Sequence, residues 1–382
     1  MLFNFHLPHY FASKVRTQIE NLYAATAIGN LAQAMITLFE PIFLYQALHL
    51  SIIEVLLFFA VVYALYIVLM PFGAKIATNF GYAHSIFFSI PFQILFWISL
   101  IGSQYNFNFI YVAPVLYALQ KTFFWPAWHA TLAQYANGKQ VAREFSVMYA
   151  LMSVMQILGP MIGGFFAIFL GPSYLFVIGS VIYLCSGIPL LWTLDRKTFQ
   201  KYKYHDTWDL IKKYPAKFLG YLGFGEELLV LTIWPIFIFL VVKNYQDVGS
   251  LVTVATLLAT CLSLYIGIYS DSHSKTKVMQ IGNFFYILSW LARIPVIGAF
   301  GAFITDSISR TAKSLVFIPL SSLTYERAET TKIMPYVIGF EQMLSVGKLL
   351  ACLLGVIVFA ATGSFVLLFI LAGLFSLFYF LV

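Results

Sequence analysis

Long apolar runs follow one another along almost the whole chain, and they set the first limit on what it can fold into. Hydrocarbon offers backbone N–H and C=O groups no water, so a segment that crosses it must satisfy them as a helix or within a closed barrel. Barrel strands alternate apolar and polar residues, and these runs do not. A helix needs about 20 residues to cross. Twelve spans can be placed, at 21–47, 52–72, 82–102, 108–135, 142–170, 173–194, 217–243, 247–270, 278–297, 299–323, 333–361 and 363–382. With 61% hydrophobic and 10% charged residues, against about 25% charged in a soluble domain, there is no room for a soluble catalytic domain. The expected fold is all-α and integral to a membrane.

The formal net charge is +7, which in a soluble protein would suggest nucleic acid. Its distribution gives no nucleic-acid surface. With a cytoplasmic N-terminus, the inner loops hold Lys14, Arg16, Lys75, Lys139, Arg143, Arg196, Lys197, Lys201, Lys203, Lys212, Lys213, Lys217, Lys275, Lys277, Arg327 and Lys332, which is 16 of the 22 basic residues. The outer loops hold Lys243 and Arg293, and Lys121, Arg310, Lys313 and Lys348 fall inside spans. This asymmetry puts both termini in the cytoplasm of a multi-pass cell (plasma or inner) membrane protein, with attraction to anionic membrane lipid as a secondary effect. Residues 1–20 carry Phe11, Val15 and Ile19 at helical spacing beside Lys14 and Arg16, as in a short amphipathic lead-in on the membrane surface. Cys185, Cys261 and Cys352 lie within apolar spans and read as small core residues. No metal-ligand spacing and no phosphate-binding loop occurs, so no metal or cofactor is expected.

The chain also repeats itself. Pro41-Ile42-Phe43-Leu44 recurs 194 positions later as Pro235-Ile236-Phe237-Ile238, and Lys121-Thr122-Phe123 recurs 192 positions later as Lys313-Ser314-Leu315. Gly163 and Gly171 match Gly355 and Gly363, and the loop starting at Ala74 matches the one starting at Gly267. A six-span unit repeated about an axis along the membrane normal builds two-bundle transporters. The division expected is a first bundle at 1–194, a polar cytoplasmic linker at 195–216 and a second bundle at 217–382.

Two local motifs sharpen this. Gly267, Asp271, Lys275 and Lys277 form a short charged turn after span 8, and Gly159, Pro160, Gly163 and Gly164 interrupt span 5. On these motifs, together with Pro126 and Arg143-Glu144, the chain resembles the major facilitator superfamily over essentially its whole length. It departs from the pattern at Ser274, in the first-half loop (Ala74, Thr78, Asn79) and upstream in span 5 (Ser146, Met155). The resemblance implies twelve transmembrane helices in two pseudo-symmetric six-helix bundles around a central cavity lined by spans 1, 4, 7 and 10. It implies alternating access in a monomer, and the span-5 motif is associated with antiporters that export. Gly159 and Gly163 have small-xxx-small spacing that permits close helix approach, and Pro160 kinks its helix, so this segment reads as packing or as a hinge. Gly267, Asp271, Lys275, Lys277 and Arg143 read as a cytoplasmic gate, with Asp271 accepting from the free N–H groups at the start of span 5. The bland alternative for Asp271 is a solvated helix end.

Ionisable groups inside a membrane are costly and are usually functional or paired. Each expected cavity span carries polar residues: Asn30, Gln33 and Glu40 in span 1; Gln120, Lys121, Trp125 and His129 in span 4; Glu226 and Glu227 in span 7; Asp306, Arg310 and Lys313 in span 10. Glu227, Glu226, Glu40 and Asp306 are candidates to carry a coupling proton, with Glu227 first because it lies 194 positions after Gln33. Asn30, Gln33, Lys121, Trp125, His129, Arg310 and Lys313 are candidates to meet the substrate. Lys121 and Lys313, as repeat counterparts, would make an anion site with Arg310 unless the carboxylates neutralise them. Glu341 and Lys348, seven apart on span 11, read as a structural pair toward span 2 or as a second polar track.

The function expected is secondary active transport of a small organic solute, proton-coupled, with export of an amphipathic compound favoured. The alternatives are uptake of a sugar, nucleoside or organic anion, and a non-transporting lipid-handling or sensor protein on the same fold. An enzyme is not expected.

Overall fold

The computed structural model describes the backbone of residues 16–135, 139–191, 201–272 and 274–382, and their side chains except at 16–20, 22, 134–135, 139–151, 264–265 and 267–272. Among the described residues the secondary structure is helical, without strands. Most of the lead-in expected at 1–20 lies outside them.

Span 1 is split. α1 (Arg16–Ile36) ends in a turn at 37–39, and α2 (Glu40–Gln46) resumes beyond it. Pro41 lies in the first turn of α2, where its missing N–H leaves nothing unsatisfied; inside a continuous helix it would remove a bond. α3 (Ile52–Phe80) starts with a reciprocal cap, in which Glu54 N donates to Ser51 Oγ (3.2 Å) and Ser51 N to Glu54 Oε2 (2.7 Å). α4 (Tyr82–Gly102), α5 (Phe109–Tyr135), α6 (Lys139–Phe169), α7 (Pro172–Cys185) and α8 (Gly187–Leu190) complete the first half. α9 (Tyr204–Lys213) lies in the polar segment. It rests on α15 (Ile333–Thr362), where Thr207 Oγ1 donates to Pro335 O (3.1 Å) and Lys332 pairs with Asp206 (2.9 Å).

The second half comprises α10 (Pro215–Gly220), a 3-10 turn at Tyr221–Phe224, α11 (Gly225–Val242), α12 (Tyr245–Ser272), α13 (Lys275–Leu291), α14 (Ala299–Thr330), α15 and α16 (Phe365–Ser376), the last extended by a 3-10 turn at Leu377–Leu381. Among the described residues, eight segments are long and apolar enough to cross a membrane. α5, α13, α14 and α16 with its extension occupy the places of the other four expected spans; α13 has 17 residues, and α14 carries Asp306, Arg310 and Lys313. The chain is a multi-pass membrane protein. Val68, Val181, Phe284 and Ile357 stand exposed on outer helix faces, as expected of side chains that meet hydrocarbon.

Cys185 and Cys261 are also exposed, and only Cys352 of the three is buried. The core assignment therefore holds for Cys352 alone, since the other two fall on outward positions of α7 and α12. Arg293, assigned to an outer loop on sequence, is a core residue at 1% exposure. Its guanidinium lies between the rings of Trp234 and Trp290, 4.3 and 3.9 Å from their centroids, and donates to Ser309 Oγ (2.9 Å). The rings provide cation–π partners that composition does not reveal.

α6 is the contact helix of the first half. It packs on α1 within its own half and on α12 across to the other. Its glycines divide between these tasks. A Cβ on Gly163 would lie 2.1 Å from Met35 O on α1, and one on Gly164 would lie 2.7 Å from Tyr245 O on α12. From the opposite side, a Cβ on Gly249 would lie 2.2 Å from Pro160 O. Gly159 faces Ala34 of α1. Backbone approaches backbone here with no space for a methyl group. We expect Gly163→Ala to lower thermal stability by about 1–3 kcal/mol through overpacking, and Gly301→Ala, whose Cβ would lie 3.7 Å from its nearest neighbour, to leave the melting temperature within error.

Candidate functional site

The second half neutralises its own charges. Glu226 is fully buried and meets Lys313 Nζ, Tyr286 Oη and Tyr379 Oη, the last at 3.0 Å. Lys313 also donates to Tyr379 Oη (2.8 Å). Asp306 accepts from Trp234 Nε1 (2.8 Å) and Arg310 Nε (2.7 Å). Glu227 pairs with Lys348 at 3.2 Å. Every one of these carboxylates has a cation at hydrogen-bond distance. Removing one partner of such a buried pair typically costs about 3–5 kcal/mol, because the other charge is left uncompensated.

The expectation of an anion site on Lys121, Lys313 and Arg310 is thus corrected. Lys313 and Arg310 are held by Glu226 and Asp306, and only Lys121 has no carboxylate at ion-pair distance among the described residues. The expected symmetry is corrected as well. Gln33 Nε2 donates to Tyr183 Oη (3.2 Å), which Gln120 also meets. Glu226 and Lys313 meet Tyr379 in the same way. Glu226 lies 193 positions after Gln33, and Lys313 lies 193 after Gln120. Glu226, not Glu227, is therefore the spatial counterpart of Gln33, and the same polar node is neutral in one half and ionic in the other.

Thr253 Oγ1 on α12 donates to Ile157 O (2.9 Å) and accepts from Met161 N (3.1 Å) on α6, and further polar contacts run from α3 and α5 to the second half. His129 on α5 lies with Nε2 2.9 Å from Glu341 Oε1 on α15 and Nδ1 2.8 Å from Tyr325 Oη on α14. Glu341 Oε2 accepts from Tyr66 Oη on α3 (2.9 Å). A neutral imidazole satisfies both contacts by donating from Nε2 and accepting at Nδ1. Further along, Lys121 and Lys348 lie 5.5 and 5.4 Å from the centroid of the Tyr63 ring. Glu341 and Lys348 do not pair with each other; each reaches α3, at Tyr66 and Tyr63.

The first half contains the open polar space. A pocket of about 260 Å³ is lined by Gln33, Thr37, Glu40, Gln93, Gln120 and Lys121, with Tyr117 and Trp125 as its aromatic walls. Glu40 is 2% exposed and accepts from Trp97 Nε1 (2.9 Å). No cation lies at ion-pair distance from it among the described residues. Lys121 lies 4.3 Å from the Tyr117 centroid, with no hydrogen-bond acceptor at its ammonium among the described residues. A second pocket of about 420 Å³ shares Gln33 and contains Asn30. Sequence reasoning missed Gln93, Thr37 and Tyr117 as pocket residues. Gln93 left a signal, a lone amide in an apolar span; Tyr117 left none among 24 tyrosines.

The expected gate falls largely outside the described residues. The side chains of Gly267, Asp271 and Arg143 lie outside the described residues, and so does the expected contact with the start of span 5. Lys275 pairs with Glu326 and donates to Ser322 Oγ (2.8 Å), both on α14, so it ties together two helices of one half. Lys277 is exposed. Of the span-5 set, Pro160 and Gly164 lie at the contact with α12, and Gly159 and Gly163 lie against α1.

We expect His129→Leu to destabilise the protein by about 1–3 kcal/mol, the cost of a buried acceptor left unpaired, and to cost clearly less in a Glu341→Gln background. Equal costs in both backgrounds, read from thermal melts, would remove the coupling from the His129–Glu341 contact.

The family model described as Major Facilitator Superfamily matches residues 22–242. No curated protein matches the chain in sequence. Among solved structures, that of a mutant of the nucleoside transporter NupG is similar, with a TM-score of 0.70 at 12% identity, covering 94% of this chain and 97% of that one. At that identity the likeness concerns the fold.

Proposed function

The chain belongs to the Major Facilitator Superfamily, and from that premise we propose that it is a secondary transporter. It carries a small organic solute across a cell membrane by alternating access, as a monomer with both termini in the cytoplasm. Glu40 and Lys121 form the solute site, and Glu40 carries the coupling proton. One observation supports this above the others: Glu40 and Lys121 line one pocket, and neither has an ion partner within it. Glu226, Glu227 and Asp306 each have a cation at hydrogen-bond distance and Glu341 has two hydrogen-bond partners, whereas Glu40 has one donor and no cation, so a proton there relieves an uncompensated charge.

The solute class follows from the lining. One carboxylate and one ammonium sum to no net charge. Gln33, Gln93 and Gln120 offer both donors and acceptors, and Trp125 offers a ring face. This supports a neutral or zwitterionic solute over an anion. The glycine–proline segment of α6 supports antiport, in which proton entry drives export.

In proteoliposomes loaded with neutral and zwitterionic solutes, we expect an imposed pH gradient to drive net flux of at least one. Glu40→Gln loses that pH-driven flux while retaining solute exchange at equal pH, and Lys121→Gln loses both by roughly tenfold or more, as for removal of a charged hydrogen bond worth about 1.5–3 kcal/mol. Intact pH-driven flux in Glu40→Gln would place the coupling proton elsewhere.

A further inference from the structure

We propose that the exposed face of α9, with the turn that follows it, docks on anionic lipid headgroups of the leaflet beside it. Two ties fix its height. At its C-terminal end only Tyr214 separates α9 from the membrane segment Pro215–Val242. Toward its N-terminal end Asp206 pairs with Lys332 (2.9 Å) and Thr207 Oγ1 donates to Pro335 O (3.1 Å), at the start of the membrane segment Ile333–Thr362. These two segments begin side by side, with Tyr221 Oη 3.1 Å from Tyr336 Oη. They have 28 and 30 residues, which makes each about 40–45 Å long against a hydrocarbon core of about 30 Å. Their ends therefore stand among headgroups, and a helix tied to both starts lies at that height.

The face has the chemistry of a membrane interface. Tyr204, Trp208 and Lys212 follow one another at i, i+4 and i+8 along α9 and share one side of it. All three are exposed, Trp208 by 48%. The other side is the packed one: Thr207 is buried, and Ile211 lies against Gly339 of α15. Indole and phenol rings favour the headgroup level, where one edge is apolar and the other wet. The two acids of α9 are already engaged, Asp206 by Lys332 and Asp209 by His205 (2.9 Å). Lys212, Lys213 and Lys217 have no carboxylate at ion-pair distance among the described residues. They lie by aromatic rings instead, Lys212 5.5 Å from the Trp208 centroid, Lys213 and Lys217 5.2 and 5.5 Å from that of Tyr214. A ring face attracts an ammonium without accepting its hydrogen bonds in the way an anion does, so the N–H donors of the three lysines are available to phosphate oxygens. Charge alone would also suit a soluble acidic partner. The height of the helix favours the leaflet, whose phosphates are already beside it.

The test places the full chain in nanodiscs of phosphatidylcholine with a minor fraction of phosphatidylglycerol. Bromine quenchers are carried on the upper acyl carbons of either the phosphatidylglycerol or an equal amount of the phosphatidylcholine. The signal of Trp208 is the fluorescence difference between the parent and Trp208→Phe. Each lysine at an anionic surface favours it by roughly fivefold, so brominated phosphatidylglycerol is expected to quench Trp208 severalfold more than brominated phosphatidylcholine. Molar salt should remove that excess. The triple variant Lys212→Gln, Lys213→Gln, Lys217→Gln should lose it as well, and the corresponding triple arginine variant should keep it. Equal quenching by the two lipids, or an excess that survives the glutamine variant, overturns the assignment of these lysines to anionic headgroups. No quenching by either lipid places α9 away from the leaflet, as a soluble partner would require, and overturns the docking itself.

Discussion

A charge taken out of water must find an opposite charge or a set of hydrogen bonds, and much of this structure follows from how each half meets that requirement. In the second half the solution is pairing: Glu226 with Lys313, Asp306 with Arg310, Glu227 with Lys348. Arg293 is held between two tryptophan rings instead. Each arrangement ties helices together through contacts that cannot be given up singly without stranding a charge. α11, α13 and α14, with the 3-10 extension of α16, are thus fixed around the Glu226 node. The first half places amides at the same positions and leaves one carboxylate and one ammonium uncompensated.

The contacts between halves have a different character. Where α6 meets α12, close backbone packing goes with a bridge by Thr253, which donates to Ile157 O (2.9 Å) and accepts from Met161 N (3.1 Å). Gly164 and Gly249 let the two backbones close to distances that a single methyl group would prevent. Where α5 and α3 meet α14 and α15, the fit is polar, through His129, Glu341, Tyr66 and Tyr325. Hydrogen bonds of this kind can exchange for water at modest net cost, whereas interlocked backbones pivot.

Much of the fold was legible because hydrocarbon permits so few solutions: apolar length gave the helices, and the near-constant offset between matching segments gave the two halves. The turn at 37–39 was not legible from Pro41, because its repeat counterpart Pro235 lies inside the continuous α11. Charges in spans 1 and 4 fell on two of the helices that line the pocket, whereas those in spans 7 and 10 are paired and line neither pocket. Lys313 and Lys121 look equivalent in sequence, yet one is paired and the other is not, because an offset of one residue decides which of Glu226 and Glu227 turns inward. A helix rotates about 100° per residue, so a repeat aligned to within a residue does not assign a face. Arg293 shows the same limit: a cation close to a span end reads as a loop residue until the tryptophans beside it are seen in three dimensions.

The difference between the two nodes bears on where binding can occur. Gln33, Gln93 and Gln120 stand where the second half has Glu226, Tyr286 and Lys313. An ionic node of this kind is satisfied in one geometry and resists insertion of a ligand, since any group that enters must replace a charge-assisted bond roughly twice as strong as a neutral one. An amide node can exchange one partner for another at little cost, because each amide both donates and accepts. With the charges paired in one half, the unpaired polar groups fall in the other, where Gln33, Glu40 and Lys121 line one pocket.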